Sequence, residues 1–274
     1  MVYLWSFFHK TLHFLSRKCK NIEIIVLFLR PNFVKRQRMK KNLKKWALLL
    51  IAAITLPATS MAQDKVEASV GADLVSGYIW RGQDLGGVSV QPSISVAYKG
   101  LSLTAWGSVG IDGNDDKEID LTLAYETGNF SISVTDYWVA PADEETKYFK
   151  YGAHSTAHVF EAQIGYDFGP LALNWYTNFA GADGVNEDGE RAYSSYVTVT
   201  APFNLGGLEW EAEIGATPWA TDYYANTSGF AICDISLGTS KEIKITDAYS
   251  LPVFAKATFN PAADRAYLTF GLSF

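Results

Sequence analysis

From residue 66 onward the chain alternates apolar and polar residues in segments of about ten. Val66, Ala68, Val70, Ala72 and Leu74 share one phase, and Glu67, Ser69, Gly71 and Asp73 hold the other. Period-2 alternation predicts a strand with one apolar and one polar face. The phase runs on through Ser76, Tyr78 and Trp80, which predicts one strand over 66–80. Eleven more segments follow, at 88–98, 101–110, 118–126, 130–139, 158–168, 171–180, 193–203, 208–217, 230–238, 242–257 and 264–274. No segment after residue 63 keeps a helical period over three turns.

The connections alternate in length. Lys99-Gly100, Thr127-Gly128-Asn129, Gly169-Pro170, Asn204-Leu205-Gly206-Gly207 and Thr239-Ser240-Lys241 read as tight turns. Longer polar loops lie at 111–117, 140–157, 181–192 and 218–229, with shorter ones on the same side at 81–87 and 258–263. A soluble β-sandwich has no reason to sort its loops this way. A transmembrane barrel does, because an even strand number places short periplasmic turns at one end and longer outer loops at the other. The predicted fold is therefore all-β: a transmembrane antiparallel up-and-down β-barrel of about 12 strands, with both termini on the turn side. Leu251-Pro252-Val253 falls inside a predicted strand, where proline removes a donor, so a bulge is expected there.

The last strand alternates Leu268, Phe270, Leu272 and Phe274 with Tyr267, Thr269, Gly271 and Ser273. A terminal amphipathic strand ending in Phe resembles the recognition signal of bacterial outer-membrane proteins. That resemblance implies two partners: outer-membrane lipid, and the barrel assembly machinery acting on the strand that ends in Phe274. Aromatics gather at both strand ends, with Tyr78, Trp80, Trp138, Phe179 and Trp219 near the loops and Tyr98, Tyr125, Phe130, Phe168, Phe203 and Phe274 near the turns. Two such belts fit the interfacial girdles of a membrane barrel.

Charge divides the chain. Residues 1–62 hold 12 Lys/Arg against a single acid, Glu23, whereas 63–274 hold 11 against 28, a net −17. A surface of that sign repels nucleic acid and attracts cations. Met39 to Lys45 is a basic stretch, Trp46 to Leu56 an apolar one, and Ser60-Met61-Ala62 supplies small residues at a cleavage site. Residues 39–62 thus form a signal peptide, with cleavage expected after Ala62 and a barrel over 63–274. Residues 1–38 precede a complete signal peptide and read as an over-extended start or an unstructured leader. Cys233 is the one cysteine after residue 62, which leaves that part of the chain without an internal disulfide.

Ser76-Gly77-Tyr78-Ile79-Trp80-Arg81-Gly82 resembles the opening motif of the TorF-type putative porins. Val90 to Tyr98 and Leu103 to Ser108 look like that family's second and third strands. The resemblance is sharpest over 66–110 and implies a small outer-membrane barrel with a transport role. It carries no established substrate and no catalytic residues.

With the apolar phase toward lipid, the other phase lines the lumen. Its members include Glu67, Asp73, Arg81, Asp120, Glu161, Asp167, Asn174, Tyr176, Asn178, Tyr196, Glu209, Glu211, Glu213, Asp234 and Lys244. Acids dominate, so a channel would favour cations and small polar solutes over anions. The plainer alternative is that these acids pair with Arg81, Lys244 and Lys256 and fill the lumen. Arg81 is expected to reach inward carboxylates and fix the first loop, with Asp73 near it. Glu209, Glu211 and Glu213 share one face about 6.5–7 Å apart. Paired carboxylates at such distances serve glycoside hydrolysis, but a solvated lumen face is the simpler reading.

His154 and His158 are the only histidines after residue 62, and Ser155 lies between them. Sequence places no acidic partner beside them, so no hydrolase is expected. Asp112 to Glu118 opens like a calcium loop but has Lys117 where glycine belongs. No cofactor is expected. Two functions remain open: a small porin for cations or small polar solutes, and a non-conducting barrel whose outer loops bind partners.

Overall fold

The computed structural model describes residues 65–274 except 144, 153 and 154. The expected leader, signal peptide and cleavage point, together with His154, lie outside the described residues. Fourteen strands are present among them. They are β1 (Glu67–Val75), β2 (Tyr78–Trp80), β3 (Gln83–Gly86), β4 (Ser89–Tyr98), β5 (Leu101–Gly110), β6 (Lys117–Thr127), β7 (Phe130–Ala140), β8 (His158–Asp167), β9 (Ala172–Gly181), β10 (Ser195–Leu205), β11 (Leu208–Thr217), β12 (Ala231–Thr246), β13 (Tyr249–Asn260) and β14 (Arg265–Ser273). Twelve of them close into an antiparallel barrel, each wall strand paired with its neighbours in the chain and β1 paired with both β4 and β14. β2 and β3 form a separate two-stranded sheet.

Closure depends on the chain end. Asp73, Leu74 and Val75 pair with Ser273, Leu272 and Gly271, and Ala72 and Phe274 exchange backbone hydrogen bonds of 3.2 and 2.9 Å. The other wall pairings are longer; β6 and β7, for example, match eleven residue pairs.

Burial is inverted relative to a water-soluble domain. Ile94, Ile132, Ile164, Ile214, Leu268 and Phe270 are exposed on the wall, while Gln91, Ser108, Asp120, Glu161, Asn178, Asp234 and Thr258 are buried. Register assigns the faces: Ile94 pairs with Ala105 and Ile132 with Tyr125 on the outside, and Thr135 pairs with Glu161 on the inside. An apolar outer face in water would form one very large exposed patch. In lipid it is the expected surface, and the closed ladder leaves few unpaired edges for the bilayer to meet.

The wall departs from the sequence reading at two places. The expected first strand does not continue to Trp80. Arg81 and Gly82 have φ of 50° and 74°, and Trp80 pairs with Gln83 across them. Two consecutive positive φ values make the tight primed turn that suits a hairpin. The chain therefore folds back on itself, and 83–86 is a strand rather than loop. Tyr78 and Trp80 accordingly leave the aromatic belt. Tyr78 packs on the inward Trp106, and Trp80 on Tyr137, Tyr223 and Tyr224.

The second departure lies at 239–241. Thr239, Ser240 and Lys241 stay in β12, and the reversal comes at Asp247-Ala248. None of those three residues supplies the positive φ a tight hairpin turn needs, and Thr is at home in a strand. The expected bulge at Pro252 is absent, since Pro252 pairs in register with Glu242; the shift falls between Lys244 and Thr246. Pro252 is level with Ser273 at the very end of β14, and residues 249–252 pair only with β12. A missing donor is tolerated at such an edge.

Candidate functional site

The inward face has two halves. Near the turns, Glu67, Glu209 and Glu211 are exposed, and Asp73 and Glu213 are half-buried. Register ties three of them to one wall: Glu209, Glu211 and Glu213 of β11 stand opposite Ser240, Gly238 and Ser236, and Lys256 Nζ lies 3.7 Å from Glu213. Lys244 shares the inward phase, but it sits where β12, still paired with β13, outruns β11. There it is exposed and pairs with Asp247 at 2.7 Å.

Near the loops the lumen is filled. The β2–β3 hairpin enters it and places Arg81 against Glu161 of β8. Nη1 reaches Oε2 at 2.5 Å and Nη2 reaches Oε1 at 2.9 Å, with side chains 9% and 2% exposed. Arg81 also donates to the Tyr224 hydroxyl at 2.6 Å, and Tyr137 donates to Glu161 at 2.9 Å. Four rings surround the guanidinium: Trp80 and Tyr176 at 4.2 Å, Tyr196 at 4.9 Å and Tyr224 at 5.5 Å. Planar stacking and two-point pairing are both arginine chemistry, which lysine does not reproduce. Burial opposes the charge on Arg81, but Tyr224 and Glu161 outweigh it and hold the guanidinium protonated well above its ordinary range.

The sequence placed a carboxylate near Arg81 but named Asp73; the partner is Glu161, because the hairpin turns back toward β8. Tyr224 and Tyr223 reach the cluster from the loop between β11 and β12, which has no period to read. Tyr137 was legible as inward, since it shares the phase of Thr135.

Two glycines make room. A Cβ on Gly82 would overlap the Cys233 carbonyl, and one on Gly215 would overlap the Tyr196 hydroxyl. The register shifts beside Gly215, and consecutive Cys233 and Asp234 are both buried there. Asp120 Oδ1, Asp234 Oδ1, Ser236 Oγ and the Tyr196 hydroxyl are buried with no hydrogen-bond partner among the described residues.

His158 lies on the outer face, paired with Trp138. Its Nδ1 is 2.6 Å from Asp136 Oδ1 and its Nε2 is 2.5 Å from the Tyr148 carbonyl. The sequence offered no acidic partner; Asp136 is that partner, set diagonally across from His158 by the β7–β8 pairing, two residues from Trp138 on the same face. Because Nε2 faces a carbonyl, it is not directed at Ser155, and the pair straps Tyr148 of the outer loop to the wall.

A closed twelve-stranded barrel with a polar filled interior and an apolar exterior defines the class: a membrane-spanning β-barrel. Comparison with protein-family models finds no match, and no curated protein matches the chain. Among solved structures the chain is similar to a NanC porin (8% identity, 74% of this chain and 96% of that one, TM-score 0.35). It is likewise similar to Salmonella typhi OmpF in complex with daunomycin (9% identity, 77% of this chain and 98% of that one, TM-score 0.34).

Proposed function

We propose that the chain is a bacterial outer-membrane channel of small bore, with an acidic vestibule on the turn side and a resident plug on the loop side. The observation that carries this reading is the divided lumen: open carboxylates Glu67, Glu209 and Glu211 below, and the Arg81–Glu161 cluster above. Carboxylates facing water draw cations and small polar solutes and repel anions. The β2–β3 hairpin is the gate element, since it is joined to the wall by single-chain connections and held in the lumen by Arg81, by the rings around Trp80 and by Asn260, whose amide donates to the Gly82 carbonyl at 2.9 Å. The resemblance of residues 66–110 to the TorF-type putative porins supports the same reading. Catalysis has no place in it, and no cofactor is invoked.

A second reading, a non-conducting barrel whose outer loops bind partners, is favoured by one feature, the tight ring of aromatics around Arg81. Planar-bilayer conductance separates the two. Under the channel reading the wild-type protein gives discrete cation-selective steps, and Arg81→Ala enlarges them by releasing the hairpin. A barrel that is folded by heat-modifiable gel mobility, yet silent in both forms, decides for the second reading.

A further inference from the structure

The seam between β1 and β14 is paired only in its turn-side part. Above Val75 the chain leaves the wall, and the last links are Ser76 N–H to the Phe270 carbonyl at 2.9 Å and Phe270 N–H to Ser76 Oγ at 3.0 Å. In an antiparallel strand the backbone groups of Leu268 and Ala266 point the same way as those of Phe270. Among the described residues no strand pairs with them there; β2 lies near β14 but is paired only with β3. Leu268 and Phe270 are 73% and 63% exposed on the outer face, so this bare edge lies in the lipid-facing band. Hydrocarbon does not tolerate an open sheet edge, because each unpaired backbone group costs several kcal/mol unless something polar covers it.

A cleft of about 710 Å³ occupies this place. Its lining includes Tyr267 and Thr269, which register assigns to the lumen face, and Ala266 and Leu268, which belong to the lipid face. Lining by residues from both faces of β14 fits a cleft at the open edge of that strand. The cleft is chemically two-ended. Ile79, Leu85 and Leu268 supply apolar wall, while Asp84, Asp115 and Asp116 supply carboxylates with no Lys or Arg among the lining residues. Asp115 Oδ2 is buried without a hydrogen-bond partner, and Oδ1 has only the Gly87 N–H at 3.5 Å.

We propose that the open part of the β1–β14 seam is a lateral binding slot for an amphiphile with a protonated amine headgroup. The chain lies in the membrane against Leu268, and the ammonium sits at Asp115. The ammonium carries donors only, and it serves Asp115, whose Oδ2 has no hydrogen-bond partner among the described residues. This goes beyond the channel reading and does not depend on whether the lumen conducts.

The test uses the protein purified from the membrane and reconstituted into zwitterionic phosphatidylcholine vesicles. The probe is a twelve-carbon chain with dansyl at one end and a primary ammonium at the other; its control ends in a carboxylate. Tryptophan-to-dansyl energy transfer reads binding. Saturable binding of the ammonium probe is expected, at least about tenfold tighter than the control, with Asp115→Asn removing most of that preference. A Cβ on residue 77 would lie 3.6 Å from Thr269 Cγ2, so Gly77→Cys with Thr269→Cys, in a Cys233→Ser background, allows a disulfide across the slot. Oxidation should abolish binding and dithiothreitol restore it, which makes the stapled protein its own folding control. Equal binding of the two probes, or binding indifferent to the staple, overturns the slot. Conductance recorded on the same preparation reports separately on the channel.

Discussion

Arg81 and Glu161 are 80 residues apart in sequence and meet in a two-point ion pair inside the barrel. Removing one member leaves the other buried and uncompensated, which costs about 3–5 kcal/mol. Arg81→Ala is expected to lower stability by that amount, and Glu161→Gln by a similar amount. The double substitution should cost less than the sum, since neither charge is then stranded. Urea titration of heat-modifiable mobility measures all three; strict additivity would mean the pair is not coupled.

Gly82→Ala should destabilise the hairpin even though it adds only a methyl group. Gly82 holds φ 74°, and a Cβ would overlap the Cys233 carbonyl. An alanine forced into that region costs more than about 1 kcal/mol before any clash is counted. The same urea titration reads the loss, and Gly113→Ala, which has nothing within 4 Å, serves as the neutral control.

Glu209, Glu211 and Glu213 changed together to Gln should weaken cation preference. The measurement is the reversal potential under a KCl gradient, which is expected to move toward zero. Glu213 is already offset by Lys256 at 3.7 Å, so Glu209 and Glu211 should account for most of the change. A reversal potential that does not move would show that the turn-side wall plays no part in selection.

Alkaline pH should loosen the plug. Burial pushes the Tyr224 hydroxyl up from its ordinary value of 10.0; Arg81 opposes the shift and Glu161 adds to it. The folded state therefore holds the Tyr224 proton more tightly than the unfolded state does. That contribution is complete below pH 10 and is lost as pH rises above it. Unfolding measured from pH 8 upward should show a decline that Tyr224→Phe flattens.

Deleting Phe274 should reduce the folded fraction in membranes. The residue closes the barrel through its backbone bonds with Ala72 and ends the apolar face of β14. Phe274→Leu keeps the backbone and separates the two roles. If assembly machinery reads the aromatic ring, the leucine variant fails in cells yet refolds normally in detergent.

The alternation along the chain determined the class of fold, because a two-residue period with turn glycines leaves few options for strands of this length. It assigned each wall residue to a face, since one step along a strand reverses the side chain. Glu161, Asp120 and Asp234 were legible as inward for that reason alone. Their partners were not. Whether 76–87 joined the wall or entered the lumen rested on the left-handed turn at Arg81-Gly82 and on the space left by Gly215, neither of which has a period. Asp136 stands on the outer face, and only the pairing of β7 with β8 sets His158 beside it. Local pattern fixes secondary structure and facing, because both follow from neighbouring residues. The plug, the outer strap and the open seam join residues far apart in the chain, so only closure of the barrel decides them.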